Sequence, residues 1–138
     1  MGKSEIRYCD DIAMWAIDRP KNTCKFRTSF CKANCYNGKL YKLYKLESKD
    51  YRNEIYWDTL TGDILKDDLA KKRKGNKKRF RFATRGECLN NESDIHKIKD
   101  IAIKNKSTLF WLPTRSWRNE TMKQLIENTL FSISNIRI

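Results

Sequence analysis

A chain of 138 residues, 39% hydrophobic and 12% aromatic, supports one modest core and is expected to form a single domain. No run of about 18 apolar residues occurs, so no membrane association is expected, and the first residues lack the apolar stretch of a secretory signal. Gly2 opens a segment loosely like a myristoylation site, but no amphipathic anchor follows. The formal charge of +13 attracts polyanions, of which nucleic acid is the commonest inside cells. A lysine-rich surface that only keeps a protein soluble gives the same total, so local clustering decides. Five cysteines do not suit a closed disulfide framework. In the cytoplasm, where the chain is expected to reside, metal binding or plain burial is favoured over cross-linking.

Residues 11–17, Asp-Ile-Ala-Met-Trp-Ala-Ile, form a short apolar run closed by Asp18-Arg19-Pro20, which predicts a buried strand. A cysteine loop, Thr23 to Cys35, comes next. From Tyr36, residues Leu40, Leu43, Tyr44 and Leu46 recur at helical spacing. Helical character is expected onward through Ile55, Tyr56, Trp57 and Leu60, with a break near Asp50. Thr61-Gly62-Asp63 interrupts the chain, and Ile64, Leu65 and Leu69 predict another short helix. Residues 71–81 hold eight basic residues out of eleven and read as an exposed loop entering a strand. Thereafter 80–84 is a strand, 93–104 a helix with Ile95, Ile98 and Ile101 on one face, and 108–112 a strand stopped by Pro113. A helix over 119–130 carries Met122, Leu125 and Ile126, and 131–138 returns to strand. Alternating strands and helices predict an α/β fold: four strands in a small open parallel sheet or partial (β/α) barrel with crossover helices. A closed barrel needs about 250 residues.

In parallel folds, sites collect where loops leave the C-terminal ends of strands. That rule gathers the cysteine loop, Thr84-Arg85-Gly86-Glu87-Cys88 and Thr114-Arg115-Ser116-Trp117-Arg118 on one rim. Cys24, Cys31 and Cys35 are spaced unlike a zinc finger, which uses close ligand pairs. Three thiolates on one short loop suit an iron–sulfur cluster, with zinc as the alternative, and should lie close together. Cys88, also following a strand, is the expected fourth ligand; Cys9 precedes its strand and is weaker. Free cysteines packed as small hydrophobes are the competing account. Arg85, Arg115 and Arg118 are candidates for contacting an anionic ligand, and Gly86 and Glu87 are candidate ligand-binding residues on the same rim. His96 reads as surface. The basic residues Lys71, Lys72, Arg73, Lys74, Lys77, Lys78 and Arg79 suit phosphate contacts, with Phe80, Phe82, Trp117 and Arg118 available to stack or pack nearby.

These residues also carry a resemblance. Cys31-x3-Cys35-Tyr36, then Arg81-Phe-Ala-Thr-Arg-Gly86-Glu87, then Leu109-Phe-Trp-Leu-Pro-Thr-Arg-Ser-Trp-Arg118 stand in the order that resembles the phage gene-product-88 family. The likeness spans roughly residues 11–138. More distantly, the cysteine loop and Gly86-Glu87 are similar to radical S-adenosylmethionine enzymes. That likeness implies a [4Fe–4S] cluster on three cysteines and a Gly-Glu contact with the methionine amino group of S-adenosylmethionine. The first cysteine gap is six residues here and three in those enzymes, which also use further strands, so a cluster without radical chemistry fits as well. Three functions follow: a phage or mobile-element metalloprotein working with nucleic acid in the host cytoplasm; a non-enzymatic inhibitor of a host nucleoprotein, such as a CRISPR defence complex; or a residual radical enzyme.

Overall fold

The computed structural model describes residues 3–138, so Gly2 lies outside the described residues. Five strands form one open sheet in sequential order: β1 (Arg7–Cys9), β2 (Met14–Ile17), β3 (Arg79–Phe82), β4 (Leu109–Trp111) and β5 (Ile136–Arg137). Strands β2 to β5 run parallel, as the alternating pattern predicted. The first strand was not legible. β1 pairs antiparallel with β2 across a turn in which Ala13 adopts a left-handed conformation. Three residues are too few to show a period, and only pairing with β2 makes this segment a strand.

Six helices accompany the sheet: α1 (Ser29–Ala33), α2 (Tyr36–Leu43), α3 (Glu47–Thr59), α4 (Gly62–Ala70), α5 (Glu92–Lys104) and α6 (Glu120–Leu130). The helical break falls at residues 44–46 and not near Asp50, which sits buried in the first turn of α3. Asn91 and Asn119 cap α5 and α6 by accepting the N–H groups of Asp94 and Met122 at 2.9 and 3.0 Å. Each such cap contributes about 1 kcal/mol by satisfying an orphan donor at the helix start.

Sequential strand order with right-handed crossovers puts the crossover helices on one face of the sheet. That face carries Ile17, Phe80, Phe82, Phe110 and Leu112, all fully buried, against Trp57, Leu65, Ile95, Ile98, Ile101 and Ile126 from the helices. Phe80, Phe82 and Phe110 pack with ring centroids 5.3 to 5.8 Å apart, and full burial contributes roughly 1.5–3 kcal/mol per ring. Phe80 and Phe82 are therefore core and cannot stack on a base. The alternate positions point the other way. The register aligns Ala16, Arg81, Trp111 and Arg137 in a row across the opposite face. No helix among the described residues is long and apolar enough to cross a membrane.

Candidate metal centre and binding cleft

The loops after β2, β3 and β4 meet, as the parallel topology requires, around a cleft of about 740 Å³. Its cysteine wall is built locally. A short 3-10 turn, Lys21–Thr23, delivers Cys24, and the Thr23 hydroxyl donates to the Pro20 carbonyl while accepting the Glu87 N–H at 2.8 Å. Thr28 caps α1 by accepting the Cys31 N–H at 2.9 Å, which fixes Cys31 in the first turn. Cys35 precedes α2, and the Tyr36 hydroxyl donates to the Thr84 carbonyl, tying α2 to the end of β3.

Cys24, Cys31 and Cys35 all line this cleft, and each is a free, half-buried thiol. They do not converge to ligating separation: among the described residues no three Cys, His, Asp or Glu side chains form a group able to hold a metal ion. The expectation that the three sulfurs sit at the separation of a shared site is not met in this conformation. Burial, then the Glu87 carboxylate, then Cys35 and Cys31, push the Cys24 thiol up to about 11, and Arg27 offsets this only partly. The wall thus disfavours thiolate unless a cation is supplied, and a metal ion would invert that balance. Three unpaired thiols on one cleft wall have the chemistry of soft-metal ligands, but at their separation in this structure they form no site.

Cys88 is placed elsewhere. It is fully buried in the hydrophobic core and does not line the cleft. Cys9 lies opposite Met14 at the start of β2, the far end of the strands.

The Gly-Glu pair has structural reasons for its identity. Gly86 adopts φ of +73°, and a Cβ there would meet the Arg19 carbonyl oxygen at 2.4 Å. Only glycine lets the loops after β2 and β3 come so close, where the Arg19 N–H donates to the Arg85 carbonyl at 2.9 Å. Glu87 is buried, and its two oxygens already accept the N–H groups of Leu89 and Arg115 at 3.0 and 2.9 Å. It clips the loop after β3 to the loop after β4.

Arg85 does not face the cleft. It is buried, donates to Asp50 at 2.8 Å, and lies 3.6 Å from Asp18, locking α3 to the sheet. Asp18 in turn accepts from Arg7 at 2.8 Å and from the Thr84 hydroxyl. Arg115 and Trp117 line the cleft, whereas Arg118 is exposed outside it. His96 is on the surface beside Glu92, as expected. Residues 71–78 precede β3 and so occupy the opposite end of the strands from the cysteines. They are exposed apart from half-buried Lys72, whose ammonium lies 5.3 Å from the Trp15 ring.

Two site residues were missed. Arg81 lines the cleft and rests over Trp111 at 4.4 Å; both stand within quoted motifs, but neither was assigned a role at the site. The signal was there: Phe-Arg-Phe and Leu-Phe-Trp alternate, so a buried Phe80, Phe82 and Phe110 turn Arg81 and Trp111 to the other face.

The family model for gene product 88 matches residues 2–135. The chain belongs to the gene product 88 family. No curated protein and no solved structure matches it. Membership in this phage gene-product family agrees with the order of the cysteine, Gly-Glu and Thr-Arg motifs along the chain. The likeness to radical S-adenosylmethionine enzymes gains no support from these comparisons.

Proposed function

We propose that this gene product 88 protein holds a metal centre on Cys24, Cys31 and Cys35, an iron–sulfur cluster ahead of zinc, and works in contact with nucleic acid. The observation that carries the reading is the sharing of one cleft wall by three free thiols, at the strand ends where α/β folds place their sites. Metal binding would draw the thiols together and deprotonate them, since coordination and folding are coupled at such loops. A bound cluster would supply redox or Lewis-acid chemistry beside Arg115 and Trp117. S-adenosylmethionine is the weaker cofactor, because Gly86 and Glu87 already have structural roles. Contact with nucleic acid rests on the exposed basic loop 71–79 and the charge of +13.

The test is anaerobic purification followed by iron, sulfide and zinc analysis. A brown protein containing iron and sulfide is expected, losing both in Cys24→Ser, Cys31→Ser or Cys35→Ser and keeping them in Cys9→Ser. A colourless, metal-free protein overturns the metal reading. The exposed basic loop then favours the second one, a non-enzymatic protein that blocks a host nucleoprotein through its nucleic-acid channel.

A further inference from the structure

The sheet face opposite the helices joins the two ends of the molecule that the functional reading keeps apart. Arg79 and Arg81 step along β3 from the basic loop toward the cysteine cleft, a path of roughly 13 Å from Lys78 to Phe82. Beside them, at matched register, stand Leu109 and Trp111 on β4, and Arg137 on β5. The β4 positions are strand residues, yet they are not covered: Leu109 is 40% exposed and Trp111 39%, whereas Arg81 is half-buried in a groove it shares with Tyr36 and Leu40 of α2. No carboxylate occupies this face of β3, β4 or β5 among the described residues. The Arg81 guanidinium has no ion-pair partner there, its Nε is buried without a hydrogen-bond acceptor, and it lies flat enough over Trp111 to sit 4.4 Å from the ring centroid. Trp117, 49% exposed, continues the aromatic surface at the cleft end.

The geometry points to a single nucleic-acid strand as the occupant of this face, running from the basic loop along β3 to the thiol cleft. The arginines meet phosphates, and Trp111 and Trp117 offer ring faces to bases. Aromatic stacking between cationic side chains is the chemistry that holds single strands without sequence preference, because every base has a π face. A duplex hides its base faces and gains nothing from Trp111. Base stacking and phosphate contact do not involve the sugar, so DNA and RNA strands of one sequence bind alike. This inference rests on the proposed contact with nucleic acid but locates it on the sheet, with the loop 71–79 as its entry.

The experiment is fluorescence anisotropy with short fluorescein-labelled oligothymidylate, its uridylate counterpart, an abasic strand of equal length and a duplex. Wild type is expected to bind the two single strands alike and to bind the duplex and the abasic strand more weakly. Trp111→Ala should weaken oligothymidylate binding about tenfold while leaving abasic binding unchanged, and Trp111→Phe should restore most of the loss. Arg137→Glu should lower both affinity and the steepness of the salt dependence. A circular-dichroism melt accompanies each variant; if Trp111→Ala fails to fold, Trp111→Phe and Arg137→Glu carry the test. Replacing Lys71, Lys72, Arg73 and Lys74 by Glu separates the two claims. Loss of binding in that variant with wild-type binding in the face variants overturns the sheet site and leaves the loop contact standing. No binding by wild type overturns both, and duplex bound as tightly as single strand overturns the stacking face. Saturable binding of an acidic protein that Trp111→Ala and Arg137→Glu abolish while oligothymidylate binding stays at the wild-type level makes the face a protein interface and overturns the inference as well.

Discussion

Gly86→Ala distinguishes a glycine kept for packing from one kept for a ligand. An alanine forced into the left-handed region costs about 1–2 kcal/mol. Its Cβ would also stand 2.4 Å from the Arg19 oxygen and 2.6 Å from the Pro20 oxygen, both backbone atoms that cannot rotate away. The loops after β2 and β3 must part, which breaks the 2.9 Å bond from the Arg19 N–H to the Arg85 carbonyl, worth about 1 kcal/mol and more if its partners stay buried. Together these predict a loss of about 3 kcal/mol and a melting temperature lower by roughly 10 °C. The assay is urea denaturation at neutral pH beside a matched control, Gly38→Ala. Gly38 lies within α2 with nothing within 4 Å of its Cβ position, so alanine there should stabilise by about 0.5–1 kcal/mol. A Gly86→Ala loss below about 1 kcal/mol would refute the packing argument and return Gly86 to a ligand-binding role.

Other substitutions test the rest of the scaffold. Arg85→Met leaves Asp50 and Asp18 without their buried partner and should cost about 3–5 kcal/mol in urea denaturation; adding Asp50→Leu should recover part of it. Burial alone would raise the Asp18 carboxyl, but hydrogen bonds and charge from Arg7, Thr84 and Arg85 outweigh it and hold it below the usual carboxylate range. Its contribution is therefore complete above the unfolded carboxylate value of about 4 and is lost as pH falls through the lower folded value. Subtracting the stability–pH curve of Asp18→Asn from that of the wild type should show this loss in acid; burial raises the Glu87 and Asp50 carboxyls, which act in the opposite sense, and Asp50 shifts with the substitution because the Asp18 charge helps to raise it. Cys88→Ser should lower stability by about 1–3 kcal/mol, since a hydroxyl replaces a thiol in a fully buried apolar site, with metal content unchanged. Exchanging Lys71, Lys72, Arg73 and Lys74 for Glu should change stability by no more than about 1 kcal/mol, because their side chains face solvent except for Lys72 near Trp15.

The sequence by itself determined the elements whose signals are local. The isoleucine stripe of α5, the Met122 and Ile126 stripe of α6 and their asparagine caps repeat within a turn or two of chain. The alternation of these helices with apolar runs is enough to require a parallel sheet and a shared rim of loops. The cysteine loop reached that rim for the same reason. Only the tertiary structure decided what depends on a distant partner. β1 exists because β2 supplies its hydrogen bonds, and Asp50 continues a helix because Arg85, distant in sequence, needs its carboxylate. Arg85 and Cys88 were expected at the rim with their neighbours, but β3 ends at Phe82 and the left-handed Ala83 and Gly86 turn the chain irregularly beyond it. Arg85 pairs with Asp50 of α3 and Cys88 packs into the core. Strand alternation placed Arg81 and Trp111 on the face opposite the crossover helices. The basic run lies at the opposite end of the strands from the cysteines because it enters β3, whereas the cysteines follow β2, and a parallel sheet separates entry from exit by the length of a strand.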